Sequence, residues 1–126
     1  MRQYRCLVVE DSKTMRNMLS ESLARIPGME VVEAENGLAG IRALATQQFD
    51  LVLTDVNMPV MDGLKLISLI RGEQNLAQMP ICVITTEGAK EDRERAIGLG
   101  ANEYLTKPIQ ANKVLAVAKS LLKIDG

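Results

Sequence analysis

The sequence predicts a doubly wound α/β fold, in which helices cover both faces of a five-stranded parallel sheet. Short apolar runs alternate with segments of helical periodicity five times along the 126 residues. Each run is bounded by turn residues, as is typical of buried strands in a parallel sheet. Successive strand–helix units of this kind form a parallel sheet with right-handed crossovers. We therefore expect a single domain that spans residues 1–126.

The predicted strands are short, and the third ends in a residue of chemical interest. The run Leu51–Leu53 delivers Asp55 to its carboxyl end, before a loop that contains Asn57 and Pro59. In open α/β sheets, ligands and chemistry lie beyond the carboxyl ends of such strands, so Asp55 stands where a reacting group is expected. The other four strands are predicted at Cys6–Val9, Val31–Val32, Pro80–Ile84 and Asn102–Leu105.

Five helices are predicted from apolar residues that recur every three or four positions. Asp11 or Ser12 is expected to cap the first helix, which Pro27-Gly28 ends, and Asp62 to cap the third. The fourth segment, Gly88–Leu99, has few apolar residues and is expected to be loosely held. The apolar faces of the other four carry Met15, Met18, Leu19, Leu23 and Ile26; Leu38, Ile41 and Leu44; Leu64, Ile67 and Ile70; and Val114, Val117, Ala118, Leu121 and Leu122.

Charge and composition exclude several classes of protein. With 15 basic and 16 acidic residues the net charge is −1 at pH 7, so no overall field attracts nucleic acid. Because histidine is absent, the chain cannot supply its own imidazole as a base or phosphoryl carrier. Two cysteines alone cannot complete a four-ligand zinc site, and Cys6 and Cys82 are expected to be buried free thiols.

The sequence lacks the features of a membrane-spanning or secreted protein. It has no apolar stretch of the roughly 18 residues that indicate a membrane span. The start, Met1–Arg5, leads directly into the first strand and has neither the apolar segment nor the cleavage site of a signal peptide. We therefore expect a cytoplasmic protein with no membrane partner.

Five polar residues are predicted to meet at the carboxyl-terminal edge of the sheet. Glu10 and Asp11 follow the first strand, while Asp55, Thr85 and Lys107 end the third, fourth and fifth. Three carboxylates at one edge repel one another, and each resists ionisation unless a cation is present. Oxygen-only ligands favour Mg²⁺. Lysine and hydroxyl groups suit phosphoryl oxygens, and a carboxylate beside them can accept a phosphoryl group as an acyl phosphate.

Each of these residues also has an ordinary structural explanation. Glu10 or Asp11 can cap the following helix, Thr85 can satisfy backbone groups in a turn, and Lys107 can be a solvated loop lysine. The functional interpretation therefore depends on the joint placement of five such groups at the ends of four strands in one small domain.

The order of these residues resembles the receiver domain of two-component response regulators, and the resemblance covers the whole chain. It implies a flavodoxin-like receiver fold with strand order 2-1-3-4-5. It is carried by Glu10-Asp11, Asp55, Met58-Pro59, Asp62-Gly63, Thr85 and Lys107-Pro108. A closer likeness to stand-alone chemotaxis regulators of the CheY type is carried by Met15-Arg16, Asn57, Glu87 and Tyr104.

The resemblance implies a role for each residue of the predicted site. Asp55 would accept a phosphoryl group from the phosphohistidine of a sensor histidine kinase or a histidine phosphotransfer protein. Glu10 and Asp11, with Asp55 and the backbone carbonyl of Asn57, would hold Mg²⁺. Lys107 would pair with the phosphoryl oxygens, and the Lys107–Pro108 peptide bond would be cis, although only about one X–Pro bond in twenty is cis in folded proteins.

The resemblance also implies a switch that changes which protein is bound. Thr85 would move to bond the phosphoryl group, and Tyr104 would turn inward and alter the surface of the fourth helix, fifth strand and fifth helix. A half-buried Tyr104 with its hydroxyl in water is the alternative. Because the sequence ends at Gly126, we expect it to act on a separate output protein, such as a flagellar-motor switch protein, unless it is an excised fragment. We also expect a monomer that catalyses only its own phosphorylation and dephosphorylation.

Two positions depart from the pattern that the resemblance implies. Ile109 stands where many receivers carry an aromatic residue, which affects packing more than chemistry. Thr86, followed by Glu87, stands where a smaller residue is common. We hypothesise that Thr86 narrows access to the site and slows both phosphotransfer and hydrolysis.

Other functions remain open at this point. A receiver fragment or a phosphate sink in another two-component pathway would use the same residues. A phosphatase with an aspartyl nucleophile, of the haloacid dehalogenase type, carries a second Asp where this sequence has Asn57. A flavodoxin-type cofactor binder needs a phosphate loop after the first strand, where Glu10 and Asp11 would repel a flavin phosphate.

Overall fold

The computed structural model describes residues 2–124 and consists of alternating strands and helices. A short 3₁₀ helix, Gln74–Leu76, follows the third helix. The strands are β1 (Tyr4–Val9), β2 (Met29–Ala34), β3 (Leu51–Asp55), β4 (Ile81–Thr85) and β5 (Glu103–Thr106). The helices are α1 (Lys13–Leu23), α2 (Gly37–Thr46), α3 (Gly63–Gly72), α4 (Lys90–Leu99) and α5 (Ala111–Leu122).

The five strands form one parallel sheet in the order β2-β1-β3-β4-β5, which confirms the predicted fold class. The order reverses between β1 and β3, where ligands bind in sheets of this kind. In the strand register, Val9 pairs with Thr54 and Asp55 with Ile84. Glu10 directly follows Val9, and Asp55 directly follows Thr54. The two acidic residues therefore lie side by side at the carboxyl-terminal edge of the sheet.

Alternate side chains of the sheet are buried in two separate cores. Leu7 and Val9 of β1 face one core, whereas Cys6 and Val8 face the other. Because both faces are covered, β3 and β4 are buried at every position and are continuously apolar up to their polar ends. The first core takes its buried helical residues from α2, α3 and α4, and the second from α1 and α5.

Each predicted strand differs from the observed one at one or both ends, and β2 differs most. β2 extends over Met29–Ala34 rather than only Val31–Val32, and every residue of it pairs with β1. It is an edge strand in which Glu30 and Glu33 are exposed, so its apolar signal is diluted. β1 begins at Tyr4 rather than Cys6, and β4 and β5 each begin and end one residue later than predicted.

The predicted apolar face of α2 is wrong at one position. Leu38 is exposed, while Gly37, Gly40 and Leu44 are the buried residues. A side chain at Gly40 would press against Val9 of the sheet, so the helix packs through a glycine that periodicity does not count as apolar. The glycine allows α2 to approach the sheet closely.

Several local predictions are confirmed. Ser12, rather than Asp11, caps α1 by accepting a hydrogen bond from the N–H of Met15, and Asp62 caps α3 in the same way. Cys6 and Cys82 are buried free thiols, and burial raises the pKa of each. In α4, Ala96 is the one residue that is fully buried. Between residues 2 and 124, none of the helices is both long and apolar enough to cross a membrane.

Candidate functional site

The predicted polar residues lie at the carboxyl-terminal edge of the sheet. Glu10 and Asp11 follow β1 directly, Asp55 ends β3, Thr85 ends β4, and Lys107 follows β5. One oxygen from each of the three carboxylates lies within 4.8 Å of the others. Glu10 and Asp55 are buried, whereas Asp11 is exposed, so the cluster opens to solvent on one side.

Lys107 compensates the charge of Asp55 directly. Its ammonium nitrogen donates a hydrogen bond to Asp55 Oδ2 at 2.8 Å and lies 3.9 Å from Glu10 Oε1. Burial alone lowers the pKa of Lys107, but its hydrogen bond to Asp55 and the negative charges around it outweigh burial, so the pKa is raised. Lys107 therefore stays positively charged at the edge of the cluster.

Glu10 is compensated only in part. Its Oε2 accepts a hydrogen bond from the N–H of Ser12 at 3.0 Å. Its Oε1 is buried and accepts no hydrogen bond from the part of the chain that the structure describes. Burial, followed by the neighbouring Asp55 and Asp11, raises the pKa of Glu10 to about 8. Without a cation, this carboxyl group holds a proton more strongly than usual.

The loop after β3 folds tightly beneath Asp55. Asp55 Oδ1 accepts a hydrogen bond from the N–H of Asn57 at 3.2 Å, and the N–H of Gly63 bonds the carbonyl of Val56 at 2.9 Å. A Cβ atom at Gly63 would collide with the carbonyl oxygen of Asp55. Glycine at this position therefore allows the start of α3 to pack against the backbone of the acidic residue.

Thr85 and Tyr104 lie at the border of the cluster rather than inside it. The buried hydroxyl of Thr85 donates a long hydrogen bond of 3.5 Å to the carbonyl of Leu105. Tyr104 points outward with 41% of its surface exposed, and the guanidinium of Arg93 in α4 lies 5.2 Å from its ring centroid. An outward ring is expected both of the predicted switch before phosphorylation and of the alternative, a half-buried ring with its hydroxyl in water.

The remaining predicted residues surround the site. Thr86 and Glu87 are exposed in the loop between β4 and α4. Asn57 is also exposed, beside Asp55. The Lys107–Pro108 peptide bond is cis.

Arg16 also belongs to the site, although the sequence alone did not indicate a role for it. The guanidinium of Arg16 donates hydrogen bonds to the backbone carbonyls of Glu10 and Asp11. A cation in the first turn of a helix opposes the helix dipole, and this conflict is the signal that could have found it.

Residues 6–119 match the family of response regulator receiver domains. The chain belongs to this family. Over 103 residues the receiver is 40% identical to a chemotaxis protein CheY homolog of Campylobacter jejuni, a match that covers 81% of this chain and 79% of that protein.

Solved structures of other receivers have the same architecture. The chemotaxis response regulator CheY4 of Vibrio cholerae superposes with a TM-score of 0.88 at 30% identity, covering 95% of this receiver and 99% of that chain. The receiver domain of the sensor histidine kinase PA1611 from Pseudomonas aeruginosa, solved with a magnesium ion in its active site cleft, gives a TM-score of 0.83 at 27% identity, covering 97% and 99%. These comparisons and the strand order confirm the predicted family and fold.

Proposed function

We propose that this receiver takes a phosphoryl group onto Asp55 from the phosphohistidine of a sensor histidine kinase or a histidine phosphotransfer protein. Receiver domains act in signalling and take phosphoryl groups from histidine kinases, and the chain belongs to that family. The observation that carries the proposal is the pairing of a buried Asp55 with Lys107 at the carboxyl-terminal edge of the sheet.

The proposed reaction is a transfer between two nucleophiles. A carboxylate oxygen of Asp55 attacks phosphorus, the nitrogen–phosphorus bond of the donor histidine breaks, and the released imidazole takes up a proton. The product is an acyl phosphate on Asp55. Lys107 is close enough to donate its hydrogen bonds to the phosphoryl oxygens, and it thereby compensates charge that arrives beside Asp55.

The acidic cluster fits a bound Mg²⁺ ion. Glu10, Asp11 and Asp55 offer oxygen ligands that lie close together, and the unpartnered Oε1 of Glu10 provides a buried acceptor. The backbone carbonyl of Asn57 would complete the protein ligands. When bound, Mg²⁺ neutralises negative charge on the cluster and on the phosphoryl oxygens. The receiver of PA1611, solved with magnesium in its cleft, supports this assignment.

Phosphorylation is proposed to change a surface formed by α4, β5 and α5. The long hydrogen bond of Thr85 is easily exchanged for one to a phosphoryl oxygen. Movement of Thr85 would leave space for Tyr104 to turn inward, and α4, which buries few side chains, can adjust its position at low cost. Thr86 and Glu87 would modulate access to Asp55.

The output is proposed to be a separate protein, and chemotaxis is the pathway favoured by the relatives. The CheY homolog of Campylobacter jejuni, a chemotaxis protein, supports this pathway, and a flagellar-motor switch protein is the proposed target. In this proposal residues 1–126 are one cytoplasmic, monomeric domain that catalyses only its own phosphorylation and dephosphorylation. A phosphate-sink role would need the same acceptor but no output protein.

The test is phosphoryl incorporation from acetyl phosphate, with Mg²⁺ or with EDTA. We expect Mg²⁺-dependent labelling of the wild type and none of Asp55→Asn. The control is Asp50→Asn, which changes a carboxylate just before the opposite end of the same strand and should be labelled normally. Labelling that persists in Asp55→Asn would move the acceptor to Glu10 or Asp11. A folded wild type that is never labelled would contradict the proposed chemistry.

A further inference from the structure

Arg16 connects the acidic loop after β1 to β2, the neighbouring edge strand of the sheet. One of its terminal nitrogens, Nη1, lies 2.8 Å from the carbonyl oxygen of Glu10 and 3.4 Å from that of Asp11. Its Nε donates to Oε1 of Glu33 in β2 at 3.1 Å. The side chain is only 16% exposed, so one guanidinium group holds two backbone carbonyls and one carboxylate in a largely buried position.

The carboxylate that anchors Arg16 is itself held in place. Ser20, one turn farther along α1, donates its hydroxyl to the other oxygen of Glu33 at 3.0 Å. Glu33 pairs in register with Val8 of β1, two residues before Glu10. Glu33 of β2, itself held by Ser20 of α1, therefore fixes the guanidinium group of Arg16 in the position from which it contacts the acidic loop.

The position of Arg16 within its own helix does not favour a cation. Arg16 lies in the first turn of α1, where partial positive charge collects, and this turn carries no acidic residue. Contacts beyond the helix must hold the side chain in place, and the structure supplies three of them. Those contacts fix the backbone of the two residues whose carboxylates converge with Asp55.

We propose that Arg16 is a positioning residue for the metal site. By holding the carbonyls of Glu10 and Asp11 from its base on Glu33, it keeps their side chains directed at one point and thereby sets the affinity for Mg²⁺. The inference rests on the proposed function, because it concerns the same acidic cluster. In this proposal Arg16, Glu33 and Ser20 act together, and they act through the backbone of Glu10 and Asp11 rather than by contacting the ion.

A positioning role and a purely electrostatic role predict opposite changes in Mg²⁺ affinity when Arg16 is removed. The guanidinium is a positive charge beside a cation site, so removing it as a charge alone would tighten Mg²⁺ binding. Removing it as a support would let the loop adopt many conformations and would weaken binding. Loss of a partner that orients a metal ligand typically weakens affinity by about 10- to 100-fold.

The experiment measures Mg²⁺ dissociation constants by calorimetric titration of wild type and Arg16→Met. We expect about tenfold weaker binding in Arg16→Met, at the lower end of the range for such partners. Arg16→Lys keeps the charge but cannot bridge Glu33 and both carbonyls. Its Mg²⁺ affinity should therefore lie between those of the wild type and Arg16→Met. The labelling rate of Arg16→Met should recover at saturating Mg²⁺, because the defect lies in affinity.

Arg5 provides a matched control. It pairs with Glu30 of β2 at 2.8 Å and donates to the carbonyl of Gln48 at 3.3 Å, but at the opposite end of the same strands. Arg5→Met should resemble Arg16→Met in its free energy of unfolding in urea with EDTA. It should leave the Mg²⁺ dissociation constant unchanged. A general loss of stability would instead weaken Mg²⁺ binding in both variants.

Ser20→Ala keeps the inference testable if Arg16→Met does not fold. This substitution leaves every charge in place, suits a helix, and removes only the hydroxyl that holds Glu33. We expect severalfold weaker Mg²⁺ binding. A Mg²⁺ affinity of Arg16→Met that equals or exceeds that of the wild type overturns the inference and leaves the metal site intact. If Arg16→Met does not fold, the affinity of Ser20→Ala decides in the same way. A wild type that binds no Mg²⁺ overturns both this inference and the metal site of the proposed function.

Discussion

Lys107 and Asp55 are 52 residues apart in the chain, yet the Lys107 ammonium lies 2.8 Å from Asp55 Oδ2. Lys107 follows β5, and its side chain reaches across the end of β4 to a carboxylate on β3. The backbone N–H of Lys107 also donates a hydrogen bond to the carbonyl of Thr85 at 2.8 Å, which fixes the backbone from which the side chain extends. The pair holds a cation beside the proposed acceptor before any phosphoryl group arrives.

Replacing Lys107 by Met should slow phosphoryl incorporation into Asp55. Loss of one positioned donor for developing charge costs on the order of 100-fold in rate. The measurement is the initial rate of labelling from acetyl phosphate at saturating Mg²⁺. Lys113→Met, an exposed lysine of α5, is the control and should react at the wild-type rate. Equal rates for wild type and Lys107→Met would contradict the role of Lys107.

Replacing Glu10 by Gln should change how stability depends on pH in the absence of metal. The pKa of Glu10 is raised from 4.5 to about 8, so the folded protein keeps a proton that the unfolded chain releases. Wild type should therefore lose stability as pH rises from about 5 to 8, by a few kcal/mol at most. Glu10→Gln, which has no such proton, should lose less.

The measurement is urea unfolding followed by circular dichroism between pH 5 and 8, in EDTA and in Mg²⁺. Mg²⁺ should stabilise wild type and have a much smaller effect on Glu10→Gln. Glu35→Gln, at an exposed position, should follow the wild-type curve. If wild type and Glu10→Gln depend on pH identically in EDTA, Glu10 does not hold this proton.

Replacing Gly63 by Ala should destabilise the loop beneath Asp55. The new methyl group collides with the carbonyl of Asp55, and overpacking of this kind typically costs about 1–3 kcal/mol. Gly72→Ala at the end of the same helix meets no atom within 4 Å and should have little effect or add up to about 1 kcal/mol. Urea unfolding compares the two, and equal stability would show that the loop can relax.

Arg93 should hold Tyr104 in its outward position. A cation over an exposed aromatic ring contributes about 0.5–1 kcal/mol, so Arg93→Ala should shift Tyr104 toward inward conformations by a few-fold. With two tyrosines and one phenylalanine in the chain, the ring can be followed by NMR. Arg2→Ala removes the similar contact over Tyr4 and should leave Tyr104 unchanged. An unaltered Tyr104 in Arg93→Ala would exclude this hold.

Replacing Thr86 by Ala should speed loss of the phosphoryl group from Asp55 severalfold, if Thr86 narrows the path for water. Thr86 is exposed in the loop directly after Thr85, so the substitution should not disturb the core. Hydrolysis of the labelled protein is followed over time, with Thr46→Ala at the far end of α2 as the control. Equal rates for wild type and Thr86→Ala would reject the hypothesis.

Local features of the structure were predictable because they depend on neighbours in the chain. Hydrophobic periodicity located the strands and helices, and polar residues after the strands located Glu10, Asp11 and Asp55. Asp62 was recognised as a cap because a cap acts on the N–H three residues later. The chain was less informative about β2, because the exposed Glu30 and Glu33 weaken its apolar signal.

The sequence by itself thus determined the class of fold, the order of its elements and the set of polar residues at one edge of the sheet. The tertiary structure alone decided that α2 packs through Gly40 rather than Leu38, that Glu10 Oε1 is left without a hydrogen bond within residues 2–124, and that Arg16 supports the acidic loop. The reason is physical. Periodicity and capping act within a few residues, whereas burial and charge compensation depend on groups that folding brings together from distant parts of the chain.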